Sequence, residues 1–568
     1  DESVYFGDYA GTSLKVEAKG SIIGGNITIT GPDISLPENV SEDLDILRSS
    51  PALILRAGVL NLSSPNNVPA DITTDNQVNN SNPPPDPGDA EFNPVTVSPN
   101  SLIFVENINT AGGPVILSAP GNIATGAITS GLIDIQSREG AVIVGGELKS
   151  GSTINIQALS NIILTSDILP RNNINGNISL SSSAGNIETR SIDTGNLGAI
   201  ALRAFGNINT GELRGISIDA IGNSGNLRIG VGGTSTATEN ITFTVVGQGN
   251  INAGNLRAAT VNASSTGNVT IGSISTSGNI RILGGQNITT GAITVRQTET
   301  AGTVAAQQIP EPTNPIPTVN LDAQNEIDLE SIDAPAATIA LRSSADLTTG
   351  NLSGGAVDVN SDRGNIDVGD TASTGNINLI GAGNVDSGNL RGERVNVNSR
   401  NGNIDTNDAE ATGNVNITAS GNVDSENLRG EAVNVNSSAG TVRTDNINAS
   451  ESVSVSAANE INIGRINVVP AGVDRTPIVN LNAQNNITAA SINAPGGNVN
   501  ITTPGFVRVT DTFNQNDSLV SIFTVGGRQP GSTTINHGGA NTIPPTPFVI
   551  GNATVNGTKG SIDGVVNI

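Results

Sequence analysis

The sequence lacks cysteine, methionine and tryptophan altogether, and its 568 residues include one histidine and only 2% aromatics. Without cysteine there is neither a disulfide nor a thiolate metal site. So few aromatics argue against an ordinary globular core. The absence of methionine from a chain that starts at Asp1 predicts a piece of a larger precursor, with any signal peptide or secretion domain upstream. No apolar run approaches the ~18 residues of a spanning helix, so no helical membrane crossing is expected. Cations are scarce too. Lys and Arg number 26 against 51 Asp and Glu, a net charge of −25, which disfavours nucleic acid because phosphate binding needs clustered cations.

What is present is 68 glycines and a 36% hydrophobic share made mostly of Val, Ile, Leu and Ala. Small aliphatics interleaved with Asn, Ser and Thr suit short strands joined by tight turns. The chain also repeats. Gly364-Asn365-Ile366-Asp367 returns as Gly383-Asn384-Val385-Asp386, Gly402-Asn403-Ile404-Asp405 and Gly421-Asn422-Val423-Asp424, each step nineteen residues. The comb extends to one aliphatic column, Leu347, Ile366, Val385, Ile404, Val423, Val442 and Ile461. A second column runs as pairs with a polar residue between, Val357/Val359, Ile377/Leu379, Val395/Val397, Val415/Ile417, Val433/Val435 and Val453/Val455, in steps that alternate 20 and 18. A third passes through Leu390, Ala409, Leu428 and Ile447.

Three inward columns per turn predict an all-β chain, a right-handed parallel β-helix of about 19–21 residues per coil, with loop insertions. On the order of 22 coils at a ~4.8 Å rise would give a rod roughly 100 Å long. Asn after Gly tolerates left-handed backbone and can bond the Asn of the next coil, so Asn365, Asn384, Asn403 and Asn422 are expected to form a structural ladder.

Stretches rich in Pro or Asn interrupt the comb at Ser63 to Pro99, Ile309 to Pro317, Pro470 to Pro477 and Pro544 to Pro547. They are expected as loops leaving one edge of the solenoid. The resulting division is a β-rich start at 1–62, an insertion or linker at 63–100, a β-helix over 101–466 (most regular at 345–465), a loop at 467–477, and C-terminal coils with an irregular end over 478–568.

The Gly-Asn-aliphatic repeats, the stretch Ser50-Pro51-Ala52-Leu53-Ile54-Leu55-Arg56-Ala57-Gly58, and Ile535-Asn536-His537-Gly538-Gly539 followed by Pro547-Phe548-Val549-Ile550-Gly551 carry a resemblance. They resemble the exoproteins of two-partner secretion, the filamentous-haemagglutinin class, and within it the cyanobacterial branch. The resemblance implies export of the precursor through a dedicated outer-membrane barrel, and roles in adhesion, aggregation or contact. The amino-terminal secretion domain of that class, with its Asn-Pro-Asn-type motifs, is absent from the sequence.

The sharpest chemical feature is an acidic column, Asp367, Asp386, Asp405 and Asp424. Stacked carboxylates repel, so something should relieve them. Arg443, next in the comb, is the expected partner of the last. The column is weighed as a metal site for calcium, which takes carboxylate oxygens, and as a sugar-cleaving pair, whose carboxylates stand ~5 to 9 Å apart. It is also weighed as a solvated edge, the bland alternative. No aromatic or histidine accompanies it, and no catalytic residue or cofactor is assigned. Arg214, Arg257, Arg391 and Arg429 form a basic column, with Glu393 and Glu431 expected to balance the last two. His537 alone makes a weak ligand or base.

The expected function is that of a secreted structural protein, a surface fibre or adhesin rod at the cell surface or outside it, and not an enzyme. The expected partners are further copies joined end to end, because the chain stops in strand-like Val565-Val566-Asn567-Ile568 with an open edge, then surface glycans or neighbouring cells, and the secretion transporter for the precursor. The alternatives are a polysaccharide-acting enzyme on the same scaffold, and a passenger stalk of a larger toxin or effector.

Overall fold

Alternating aliphatic and polar residues give strands with one apolar side, and the Asn- and Gly-rich turns bend each strand into the next. The computed structural model describes residues 3–60, 62, 101–170, 176–195, 197–296, 316–470, 475–515, 517–526, 531–541 and 544–568. Strand makes up 59% and helix 2%, and the strands stack in parallel as a β-solenoid of about 22 turns. The chain divides into two compact units, Asp1–Ser277 with Ile282–Gly285, and Gly278–Arg281 with Gln286–Ile568. Among the described residues no helix is long and apolar enough to cross a membrane.

Each turn supplies three short strands, here named by the face they build. In the second unit one turn runs Ile366–Val368 on the first face, Thr371–Ser373 on the second and Ile377–Gly381 on the third. The next runs Val385–Ser387, Leu390–Gly392 and Val395–Ser399. Register is direct. Leu347, Ile366, Val385, Ile404, Val423, Val442 and Ile461 pair in one file on the first face, each at most 1% exposed. The Val357/Val359 to Val453/Val455 pairs stack on the third face, and Leu390, Ala409, Leu428 and Ile447 stack on the second. Identical aliphatics one strand spacing apart make a dry interior that every added coil extends.

The 20/18 alternation has a cause at the corners. Ser361, Ser399 and Ser437 end alternate third-face strands, each followed in register by Gly381, Ala419 or Ala457 on the next coil. Each serine Oγ donates to a carbonyl of the coil below, Ser399 to Gly383 O at 2.7 Å, and accepts the N–H three residues on, from Gly402 at 2.9 Å. That hydrogen-bonded corner is one residue longer than the Gly or Ala corner. The preceding corner of the same coil is one residue shorter, so the first-face comb stays at nineteen.

The first unit has the same three faces, with Ile103–Val105, Ile123–Thr125, Val142–Val144 and Ile162–Leu164 stacked on the first. It also holds a helix, Glu42–Ser49, that the reading of 1–62 as β-rich did not include. Ser41 caps it, its Oγ accepting the Leu44 N–H at 3.3 Å, and acidic residues in the first turn with Arg48 in the last suit the helix dipole. Leu47 of the helix packs with Leu36, Ala52 and Ile54, and Ile116 joins them. An ion cluster ties the helix down. Lys15 Nζ lies 2.8 Å from Glu17 and 2.9 Å from Asp43, and Arg56 Nη2 donates to Asp43 Oδ1 at 2.8 Å.

The insertions do not leave at a single corner. Residues 63–100 lie outside the described residues, as does most of the Ile309 to Pro317 stretch, but the flanking strands fix where the chain departs. The 63–100 stretch follows the third-face strand Leu53–Arg56 and precedes the first-face strand Ile103–Val105. The 297–315 stretch and the loop expected at 467–477, which begins only after Asn467 and Val468 complete the strand Ile461–Val468, instead join second face to third, ahead of Thr318–Ala323 and Ile478–Ala483. Any corner that faces solvent tolerates an insertion, so nothing restricts them to one edge. Near the C-terminal end Phe513–Gln515 and Ser518–Phe523 form an antiparallel pair, after which Ser532–His537 returns in parallel onto Asn498–Thr503.

Candidate functional site

The turns carry the polar chemistry. Asn365 Oδ1 accepts the Asn384 backbone N–H at 2.8 Å, Asn384 that of Asn403 at 2.8 Å, and Asn403 that of Asn422 at 2.7 Å. Asp346 begins the file, accepting from Asn365 N–H at 2.7 Å, and Thr441 N–H closes it on Asn422 at 2.9 Å. Each side chain therefore satisfies a turn N–H of the next coil. The glycine before each Asn is there for room. A Cβ on Gly402 would come 2.5 Å from Asn384 Oδ1. These Asn positions do not use the left-handed backbone that Asn tolerates; among the described residues the positive-φ non-glycine positions are Asn39, Asp517 and Ala540.

A second ladder, not anticipated, runs at the next corner through Asn351, Asp370, Asn389, Asp408, Asn427 and Asn446. Asp370 N–H donates to Asn351 Oδ1 at 2.9 Å, and Asn389 gives Asp370 Oδ1 both its backbone N–H at 2.8 Å and its Nδ2 at 2.9 Å. Asn427 does the same to Asp408, at 3.1 and 2.9 Å. Placing Asp in alternate coils keeps its charges two coils apart. The nineteen-residue spacing of these six positions was the available signal. On the outer side of the third face a third file joins amide to amide, with Asn396 Nδ2 donating to Asn378 Oδ1 at 2.8 Å, Asn416 to Asn396 at 2.7 Å and Asn434 to Asn416 at 2.9 Å.

The acidic column lies between these ladders. Asp367, Asp386, Asp405 and Asp424 stand in register on the outer side of the first face, all exposed. Burial, then the charges of Asp405 and Asp367, push the Asp386 carboxyl above its ordinary range. Arg443 is next in register after Asp424, yet no ion pair joins the two among the described residues. Among those residues no group of three or more histidine or acidic side chains is placed to hold a metal ion. One carboxylate per coil on a flat face gives a line of oxygens, whereas calcium takes six to eight at about 2.3–2.6 Å.

Residues 355–476 match the family model Toastrack DUF4097. The match spans less than half of the chain and falls on its most regular coils. Comparison with curated proteins gives no match, and neither does comparison with solved structures. The Toastrack segment holds the whole acidic column and most of all three ladders.

Arg391 and Arg429 of the basic column are relieved within the same segment, though not by Glu393 and Glu431. Glu410 stands in register between Arg391 and Arg429, 3.8 and 3.5 Å from them. Glu431 pairs instead with Arg475, at 3.1 Å. A strand partner directly above is nearer than a residue two positions along the chain, which points elsewhere around the corner.

Two features lie outside the Toastrack segment. His537 Nδ1 is 3.2 Å from Asn556 Nδ2, its ring leans on Phe548 at 5.7 Å between centroids, and burial lowers its pKa. Asn556 also donates to Thr546 O at 2.9 Å and accepts the Val507 N–H at 3.0 Å, so the histidine belongs to a structural corner. In the first unit an open cleft of about 430 Å³ is lined by Ser191, Thr210, Glu212, Arg228 and the loop Gly230 to Gly233. The loop bulges out of the strand Leu227–Ala237, with Gly230 and Gly232 at φ +55 and +86.

Proposed function

We propose that the chain is a structural protein of the cell exterior, the displayed part of a surface fibre or adhesin, and that it acts through its surface without catalysing a reaction. One observation carries this reading: polar side chains at the corners of the Toastrack coils, which an enzyme would direct at a substrate, are directed at the neighbouring coil. Asn365, Asn384, Asn403 and Asn422 each accept a backbone N–H from the coil above. Such bonds stiffen the stack and commit those groups to it. The repeats and flanking stretches that resemble two-partner-secretion exoproteins support export of the precursor through an outer-membrane barrel. They also support contact with surface glycans or neighbouring cells.

The test has two parts. Antibody raised against residues 355–476 should label unpermeabilised cells, and loss of the gene should reduce cell–cell or cell–surface attachment. Label confined to the cell interior would end the exterior reading. Turnover of any polysaccharide by the purified chain would end the structural one in favour of an enzyme.

A further inference from the structure

Among the described residues of the second unit, only the third face offers a long run of strands without charge on the outer side, Arg394 and Arg400 lying just beyond the ends of the strand Val395–Ser399. Over seven successive coils, from Ile377–Gly381 to Asn498–Thr503, the strands stay in direct register. Their outward residues form two complete files, and the exposed Ile478 and Asn498 add a short third at the start of the last two strands. One holds Asn378, Asn396, Asn416, Asn434, Asn480 and Asn500, with one serine in the run, and the other is Asn, Ser and Thr apart from Ile380. In a chain of net charge −25, such a face is the place where two copies meet with least repulsion. The first face presents its aspartates, and the second its arginines and glutamate.

The amides are also held in place. Each of Asn396, Asn416 and Asn434 uses one N–H on the coil below, and Asn500 does so on Asn480 at 2.9 Å. A planar amide fixed by one donor and one acceptor keeps its second N–H and second lone pair available. Ordering costs on association are therefore already met within the ladder. Two such faces share one pitch by construction, the geometry in which paired sheets interdigitate identical side chains. Seven strands at ~4.8 Å by five residues at ~3.3 Å make about 550 Å² per copy, or roughly 1,100 Å² in all, just above the ~1,000 Å² that a specific interface needs.

We infer that the third face of the second unit binds the same face of another copy of this chain, side by side. The inference goes beyond the proposed exterior role and holds or fails without it. It also differs from end-to-end joining.

The experiment is sedimentation equilibrium of the purified chain across the micromolar to millimolar range. A concentration-dependent doubling of mass is expected. Asn396→Asp/Asn416→Asp/Asn434→Asp, which places six carboxylates in the dimer interface, should weaken association at least about tenfold, a loss of about 1.4 kcal/mol. Asn448→Asp/Asn467→Asp on the second face should leave it unchanged. Circular dichroism checks that each variant folds. Should the triple variant unfold, Ser454→Glu/Ser456→Glu charges the same face outside the ladder and must give the same weakening. A chain that stays monomeric throughout overturns the inference. So does a dimer that third-face charges leave intact, or one that the second-face pair disrupts equally.

Discussion

Asn384 Oδ1 accepts the backbone N–H of Asn403, nineteen residues on, at 2.8 Å. That N–H lies in a turn, where no strand partner reaches it. Asn384→Ala would leave it to water, and a loss of about 0.5–1.5 kcal/mol is expected. Asn384→Asp retains an acceptor at the same place and should lose less. Urea denaturation of the two variants beside the parent makes the comparison.

Ile404 is the middle of the first-face file and 1% exposed. Ile404→Ala should cost about 2–5 kcal/mol, the transfer free energy plus a cavity that the coils on either side cannot close. Solenoid stability is summed between neighbours, so hydrogen exchange should accelerate first in the coils of Val385 and Val423. Equal acceleration throughout the unit would contradict that locality.

Asp386→Asn removes one of the two inner charges of the four, the one flanked by Asp367 and Asp405. A gain of about 0.2–1 kcal/mol at neutral pH is expected, the scale of a like-charge cross-strand pair. The sign follows from linkage. A carboxyl whose folded pKa is raised binds its proton more readily in the folded state, so its favourable contribution is complete below the unfolded value of 3.8 and is lost as pH rises through the folded pKa. The advantage of the variant over the parent should therefore vanish on acidification below 3.8, which a series of thermal melts would reveal.

Asp43 has the opposite sign. Burial opposes its charge, but the hydrogen bonds and charges of Arg56 and Lys15 outweigh burial and hold its carboxyl below the ordinary range. Its contribution is present above 3.8 and is lost as pH falls through the folded pKa. Asp43→Asn should destabilise the helix Glu42–Ser49 and its strands by about 1.5–3 kcal/mol. Faster proteolysis within residues 33–50 is the readout.

Glu410 sits in the open between Arg391 and Arg429. Glu410→Gln should change stability by no more than about 0.5 kcal/mol, because exposed pairs are screened. A larger loss that survives high salt would show that the stack matters more than its exposure suggests.

The stacked parallel fold was legible because a solenoid repeats its core at a fixed step, and the Gly-Asn-aliphatic signal recurs at nineteen. Less legible was anything that the comb does not repeat. The helix Glu42–Ser49 occurs once, and its markers are Ser41 with three acidic residues behind it and the apolar Ile54 and Ile116 where later third-face strands carry polar residues. The second ladder follows the comb but alternates Asn with Asp, so identity alone hides it. Glu410 is hidden from spacing along the chain, because a parallel sheet provides partners one coil away. The same holds for the glycine of each turn, whose neighbour of consequence is the amide of the coil beneath.

The serine corner carries a consequence for how such a chain can change length. Ser361, Ser399 and Ser437 recur every second coil, and each long corner is offset by a short one within the same turn. Gain or loss of thirty-eight residues anywhere between Leu347 and Ile461 would return every aliphatic, amide and hydroxyl to a matching neighbour. A single-coil change of nineteen would instead set two long corners, or two short ones, against each other. Variation in length should therefore proceed in double coils, and the surface presented by the stack should grow or shrink in the same increments.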